Sequence, residues 1–255
     1  MKLFLLFALL FTVTLHAQNS KADAKADANA VDNMSPNQRQ FFNIPEEKRK
    51  EMINLYGEAH RLFTEKRVFE ALEKLNEAEK LFPNSFELHN LRGSCYVELR
   101  IFDKAIISFE KAKQISPDNL SIKFNLAECT FVSQKWQESH DKFQELLKLL
   151  PPNSLEMLRL VEFKVFICKK KLGLDQEALI LADKYDYQDD SPFYYYTKAA
   201  LAFDKKENAE AEQWMNRAAI IFREPKILSP WQDTMMESGY VKSFYGGEQE
   251  KEMKE

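Results

Sequence analysis

Apolar residues recur through the middle of the chain with a fixed period of 34 residues. Segments with the same arrangement of apolar residues begin at Met52, Phe86 and Leu120, and a proline follows each of them at the same spacing. These prolines are Pro83, Pro117 and Pro151. Within each segment, apolar positions lie three or four residues apart, as in a helix that buries one face. The pattern therefore predicts three pairs of helices, each pair joined by a short turn.

Small residues mark the places where the two helices of each predicted pair cross. Those in the first helices are Ala59, Gly93 and Ala127, and those in the second helices are Ala71, Ala105 and Ser139. Together with Tyr96 and Phe109 of the middle segment, this arrangement resembles the tetratricopeptide repeat, an antiparallel helix pair of about 34 residues. The resemblance extends from about Met52 to Phe222 and implies an all-α fold, a right-handed superhelix of antiparallel helix pairs. It also implies a scaffold or adaptor whose concave face binds a peptide or helix of a partner protein.

The period slips after the third pair and then returns. The pattern around Ala178 and Ala182 resembles the second helix of a fourth pair, but the first helix would start near Arg159, five residues late. A fifth pair follows in register from Tyr195. We therefore predict about five helix pairs over residues 45–224, with the fourth pair divergent.

Three further segments flank the predicted repeats. Residues 225–245 include Trp231 and Met235, and we predict that they form a C-terminal capping helix, because a stack of repeats needs a cap with a polar outer side. Residues 246–255 are predicted to be a charged tail. Residues 18–44 contain few large apolar residues and are predicted to be a flexible linker.

The first 17 residues have the three parts of a secretory signal peptide. Lys2 precedes an apolar run from Leu3 to Leu15, and the small Ala17 comes before a polar residue. The run is shorter than the roughly 20 apolar residues that a helix needs to cross a bilayer. We therefore predict that residues 1–17 are removed, that no integral membrane segment remains, and that the chain is exported to the periplasm or secreted. The alternative is an uncleaved membrane anchor.

Composition and charge narrow the classes of partner and chemistry. A formal net charge of −4 gives no broad basic surface for nucleic acid. The sequence has no pair of histidines at metal-ligand spacing and no glycine-rich phosphate loop, so we expect no enzyme activity, cofactor or metal. Cys95, Cys129 and Cys168 take equivalent repeat positions, about 8–10 Å apart, which is beyond the reach of a disulfide. We expect free, buried thiols; a hydrolase or redox protein that uses Cys95 or Cys129 is the alternative.

The resemblance also assigns residues to the concave face, because certain positions of each first helix point into it. The candidate groove residues are Tyr56, His60, Phe63, Asn90, Val97, Phe124, Phe131, Phe163, Tyr196 and Phe203. Most are aromatic or apolar, and a long row of exposed aromatic side chains is typical of a binding surface. The alternative is that some of these rings pack against the next helix.

These features lead to two hypotheses about function. The favoured one is a non-catalytic scaffold or adaptor that binds a partner peptide or helix in an aromatic concave groove. An apolar or amphipathic peptide suits such a groove. The alternative is a structural or envelope-assembly factor that self-associates through the C-terminal cap and the convex face.

Overall fold

The computed structural model describes residues 34–242. Within that range the protein has twelve α-helices and no β-strand, which confirms the predicted all-α fold. None of the helices between residues 34 and 242 combines the length and the apolar character needed to span a membrane. The described residues divide into an N-terminal unit, 34–125, and a C-terminal unit, 126–242. The predicted signal peptide, most of the predicted linker and the charged tail lie outside the described residues.

The N-terminal unit contains five helices and the beginning of a sixth. They are α1 (Pro36–Phe42), α2 (Glu46–Thr64), α3 (Val68–Leu81), α4 (Phe86–Glu98), α5 (Phe102–Ile115) and the first part of α6 (Leu120–Val132). Helices α2 and α3 pack together as one pair, and α4 and α5 form the next. The interior of the first pair is built from Ala59, Leu62, Ala71, Leu75 and Ala78, all buried.

Helix α1 lies in the segment that the sequence predicted to be a flexible linker. The Ser35 hydroxyl accepts a hydrogen bond from the Gln38 N–H, and the Gln38 side chain accepts one from the Ser35 N–H. This reciprocal cap stabilises the start of a helix. Near the other end of α1, Phe41 packs against Phe82 with ring centroids 5.4 Å apart. The linker prediction was therefore wrong for residues 36–42, because a cap and one aromatic contact order them.

The C-terminal unit contains the rest of α6 and six further helices. They are α7 (Trp136–Leu149), α8 (Leu155–Lys171), α9 (Asp175–Ala182), α10 (Phe193–Asp204), α11 (Asn208–Ile221) and α12 (Pro225–Glu237). Helix α8 packs against both α7 and α9, and α10 pairs with α11. Helix α8 has 17 residues where α6 has 13, and this extra length underlies the slip in the sequence period.

The connection between α9 and α10 is held in place by charged and aromatic side chains. Arg159 on α8 donates hydrogen bonds to the Asp189 carboxylate, the shortest at 2.9 Å, and its guanidinium lies 3.6 Å from the ring centroid of Tyr185. The Tyr185 hydroxyl donates to Glu162 over 3.1 Å. These contacts fix the start of α10, where Phe193 enters the core.

Candidate protein-binding surfaces

Three candidate groove residues lie half-buried on α2 in the N-terminal unit. The rings of Tyr56 and His60 are one helical turn apart, with centroids separated by 6.5 Å, and Phe63 follows them. Burial, and to a lesser extent the Glu87 carboxylate on α4, raise the pKa of Tyr56 to about 12. Tyr56 therefore remains a neutral phenol near neutral pH and can donate a hydrogen bond.

Asn90 lies on α4, which packs against α2, and forms a polar pair with Asn125 of α6. The Nδ2 group of Asn125 on α6 donates to Oδ1 of Asn90 on α4 over 2.9 Å. Asn125 is only 4% exposed, and within the described residues its Oδ1 accepts no hydrogen bond. A buried acceptor without a donor costs about 1–3 kcal/mol. The pair therefore has unused hydrogen-bonding capacity.

The two other candidates in the N-terminal unit are not exposed. Val97 is 5% exposed and Phe124 is 6% exposed. Helices α4 and α6 lie close enough for Asn90 and Asn125 to hydrogen-bond directly, so side chains between these helices are shielded from water. The expectation of exposed side chains is wrong for Val97 and Phe124, and the accessible candidates here are the three α2 residues and Asn90.

Phe131 is also buried, within the C-terminal unit. Its ring meets Trp136 edge-on at 5.3 Å and Phe143 at 6.2 Å, both on α7. The Lys164 ammonium lies 4.7 Å from the centroid of the same ring. Phe131 is 0% exposed and fills the space between helices, so the expectation that it is an exposed groove residue is wrong.

Phe163 and Tyr196 are covered by the last described helix. Trp231 of α12 lies 5.2 Å from Phe163 and 5.9 Å from Tyr196, measured between ring centroids, and Phe193 meets the same indole at 6.5 Å. We call Phe163, Phe193 and Tyr196 the aromatic pocket. Phe163 and Tyr196 are buried, so the expectation that they are exposed groove residues is wrong, and Phe193 is buried with them. The reason is that the chain's own α12 occupies the positions where the repeat pattern places a groove.

A buried lysine lies next to the aromatic pocket. The Lys164 ammonium is 2.8 Å from the Glu128 carboxylate and 3.9 Å from that of Glu237. Burial disfavours the charged form, but Glu128, Glu237 and Asp233 outweigh it and raise the pKa of Lys164. Since Asp233 and Glu237 belong to α12, this cluster ties α12 to α8 and α6.

Phe203, the last candidate, is half-buried under the segment that follows α12. Gly239 has φ +79°, a left-handed conformation that ends the helix and turns the chain back. The Tyr240 ring then lies 6.1 Å from Phe203, and its hydroxyl donates to Asp204 over 2.9 Å. The Lys171 ammonium sits 4.1 Å from the centroid of the Tyr240 ring. Tyr240 thus covers part of the C-terminal end of α10.

Residues 56–119, within the N-terminal unit, match the family model of the tetratricopeptide repeat. Residues 56–119 therefore carry tetratricopeptide repeats. The crossing of α4 and α5 at Gly93 and Phe109 is one feature of the matched region, and the amide of Asn90 lies within it.

Solved structures share the helical-repeat fold. YrrB, described as a TPR protein with an unusual peptide-binding site, is 18% identical over 78% of this chain and 98% of that one, with a TM-score of 0.51. PilW, described as a widely conserved type IV pilus biogenesis factor, is 17% identical over 75% of this chain and 87% of that one, with a TM-score of 0.55. PilF of Pseudomonas aeruginosa is 12% identical over 75% of this chain and 93% of that one, with a TM-score of 0.53. At these identities the likeness concerns the fold.

Three residues of these surfaces were not among the candidate groove residues predicted from the sequence. Asn125 was visible as a polar residue among apolar ones in α6, and Lys164 as a lysine inside the apolar stretch of α8. Trp231 was recognised only as part of a cap. Its spacing of four residues from Met235 marks an apolar helix face, but the surface against which that face packs depends on the tertiary fold.

No group of three or more histidine, cysteine, aspartate or glutamate side chains in residues 34–242 is placed to hold a metal ion. Cys95, Cys129 and Cys168 are buried free thiols. Burial raises the pKa of Cys95 and of Cys168 to about 12, which keeps both as unreactive thiols.

Proposed function

We propose that the protein is a non-catalytic scaffold that binds a peptide segment of a partner protein on its N-terminal unit. The observation that carries this proposal is the Asn90–Asn125 pair, whose Asn125 Oδ1 accepts no hydrogen bond within the described residues. A peptide backbone supplies the missing N–H donor. On α2, which packs against α4, Tyr56, His60 and Phe63 are half-buried and supply apolar and aromatic contact area.

The polar and aromatic groups contribute differently to binding. Rotation about the outer torsion of asparagine is soft, so a small rotation presents the Asn125 oxygen to an approaching N–H. The hydrogen bonds set the register of the peptide, and its apolar side chains gain affinity by covering Tyr56 and Phe63. An uncharged or amphipathic segment suits this surface best.

Site-specific photo-crosslinking in the native host tests the proposal. A benzophenone amino acid placed at Phe63 is expected to give a discrete adduct, and the same group at Phe69, 71% exposed on α3, serves as the matched control. A synthetic peptide from the captured protein is then titrated against the purified chain. Asn125→Ala is expected to raise the Kd about tenfold, the effect of losing about one hydrogen bond.

Two outcomes contradict this proposal. One is equal crosslinking from positions 63 and 69, because a specific site has to distinguish them. The other is an unchanged Kd for Asn125→Ala in a variant whose circular dichroism matches wild type. Asn208→Ala, at an exposed position on α11, is the control amide substitution and leaves the Kd unchanged.

A second candidate function is assembly through self-association. The predicted C-terminal cap buries Trp231 and Met235 within its own chain, so these two residues are not available to a second copy. The candidate surface for self-association is instead a set of exposed isoleucines on α9 and α11. Ile180 is 75%, Ile220 68% and Ile221 53% exposed. Light scattering on the eluting protein distinguishes the cases: a dimer that the double substitution Ile220→Asp, Ile221→Asp converts to a monomer favours assembly. A monomer at all concentrations excludes it.

Export is inferred from residues 1–17 alone, which lie outside the described residues. The pattern of Lys2, an apolar run and Ala17 supports cleavage by a signal peptidase. Intact mass of the protein isolated from its host tests this inference. A chain that begins at Gln18 supports export, and a chain that keeps residues 1–17 contradicts cleavage.

A further inference from the structure

The proposed function makes no use of the surface against which α12 packs in the C-terminal unit. Every residue of α8 from Leu160 to Lys169 is buried. A helix can be buried around its whole circumference only if neighbours cover all its sides. Helices α7 and α9 cover two sides of α8, and α12 covers a third through Trp231. Without α12, the aromatic pocket would face solvent.

The contacts of α12 are those of a helical ligand in a groove. One large aromatic side chain, Trp231, enters the aromatic pocket, and Leu228, Thr234 and Met235 on the same helix are buried with it. The acidic Glu237, six residues after the anchor, meets the ammonium of Lys164 at 3.9 Å. Aromatic anchors in fully desolvated pockets dominate the energetics of protein interfaces.

Helix α12 also has the features of a helix that can detach from the surface on which it packs. It has 13 residues, a length at which an isolated helix is marginal in water, and it contains Pro230, which lacks a backbone N–H donor. Its helical form therefore depends on its contacts with α8 and α10. Only residues 222–224 join it to α11, so a movement of α12 as a unit needs backbone rotation at only these few residues.

We propose that the aromatic pocket and Lys164 form a second binding site, for a helix of a partner protein, which α12 occupies in the free chain. The partner helix carries a tryptophan or a residue of similar bulk as its anchor, with a carboxylate six residues further along, as Glu237 follows Trp231 in α12. This site deepens the proposed scaffold function and rests on it, because a second helix-binding site is meaningful in a protein that binds partner segments. Because only chains in which α12 has left the pocket can bind, the apparent affinity of the site is its intrinsic affinity multiplied by the fraction of such open chains.

The test uses the full chain and a fluorescent peptide with the sequence of residues 223–242 as the probe. Fluorescence anisotropy is measured with wild type and with two variants that weaken α12 in different ways, Trp231→Ala and Glu237→Lys. The first removes the anchor, and the second places a like charge beside Lys164. Both variants are expected to bind the peptide at least tenfold more tightly than wild type does. Using two variants keeps the test valid if one of them fails to fold.

The pocket itself is checked in the opened chain. Adding Tyr196→Ala to Glu237→Lys is expected to abolish peptide binding, and so is the substitution Trp231→Ala in the peptide alone. Equal binding of the peptide to wild type and to both opened variants overturns the proposal, as does binding that survives the loss of Tyr196. A wild-type dimer that Trp231→Ala turns into a monomer also overturns it, because the occupant is then a second copy.

The outcome is independent of the test at Asn125. The peptide probe needs no partner from the host, and Asn125→Ala is expected to leave its binding unchanged. If the peptide fails to bind while crosslinking at Phe63 succeeds, only the second site is lost. If crosslinking fails while the peptide binds, only the first is lost.

Discussion

At the scale of single residues, the absence of a side chain at Gly93 sets the separation of α4 and α5. A Cβ built on Gly93 would lie 2.4 Å from Cε1 of Phe109, whose ring is fully buried at this crossing. Real Cβ atoms do not approach a carbon atom so closely, and aromatic rings in packed cores have little room to move. Gly57 on α2 offers the opposite case, since nothing lies within 4 Å of a Cβ at that position.

The comparison of these two glycines gives the first prediction. Gly93→Ala is expected to lower the free energy of unfolding by about 1–3 kcal/mol, because the helix pair must open to admit a methyl group. Gly57→Ala is expected to raise it by up to about 1 kcal/mol, since alanine favours a helix over glycine. Urea unfolding followed by circular dichroism measures both. If Gly93→Ala is as stable as Gly57→Ala, the crossing is looser than the structure indicates.

At the scale of elements, each helix pair turns at a residue in the left-handed conformation. The five turn residues, with their φ values, are Lys66 (64°), Arg100 (58°), Gln134 (58°), Gly173 (74°) and Lys206 (65°). Only one of them is glycine, although this conformation costs other residues about 1–2 kcal/mol. The first three turns follow the 34-residue period of the sequence, and Gly173 lies five residues beyond it, after the longer α8.

These turns give a second prediction. Gln134→Gly is expected to raise the unfolding free energy by up to about 1 kcal/mol, because it removes the left-handed penalty but adds chain entropy to the unfolded state. Gly173→Ala is expected to lower it by about 1–2 kcal/mol, since no atom lies within 4 Å of its Cβ and only backbone strain is added. Thermal unfolding of both variants tests the pair. Equal melting temperatures for the two variants would count against strain at these turns.

Much of the element order was predictable, because it depends on local spacing. The 34-residue period and the small residues such as Gly93 identify helix pairs without knowledge of the tertiary fold. The burial of Phe163 and Tyr196 was not predictable in this way, because it depends on where α12 packs. The helix face of Trp231 and Met235 indicates that α12 buries something, but not which helices receive it. The order of residues 36–42 was missed for a related reason, since Phe41 gains its partner Phe82 only in the folded chain.

At the scale of the whole molecule, the two units present different faces. The N-terminal unit leaves Tyr56, His60 and Phe63 half-buried on α2 and holds an amide pair between α4 and α6. The C-terminal unit covers its equivalent positions with α12 and places charge at the contact. The charged groups at that contact are Asp233 and Glu237 of α12, Lys164 of α8 and Glu128 of α6. Three carboxylates therefore share one ammonium.

This charge imbalance makes the docking of α12 on the rest of the C-terminal unit sensitive to pH. Burial, opposed by Lys164 and assisted by Glu128, raises the pKa of Asp233 from 3.8 to about 7. A carboxyl whose pKa is higher in the folded state stabilises that state fully below pH 3.8, and this contribution is lost as the pH rises through about 7. Helix α12 is therefore expected to dock more weakly at pH 8 than at pH 5.

Asp233→Asn isolates this effect, because it keeps the shape of the side chain and removes its titration. At pH 8 the variant is expected to be more stable than wild type by about 1–3 kcal/mol, and at pH 5 the difference shrinks because wild-type Asp233 is then protonated. Hydrogen exchange of the α12 amides and thermal unfolding at both pH values measure it. Asp190→Asn, at an exposed position, controls for the change in net charge. The same gain in stability at pH 5 and pH 8 would show that packing, and not protonation of Asp233, governs the docking of α12.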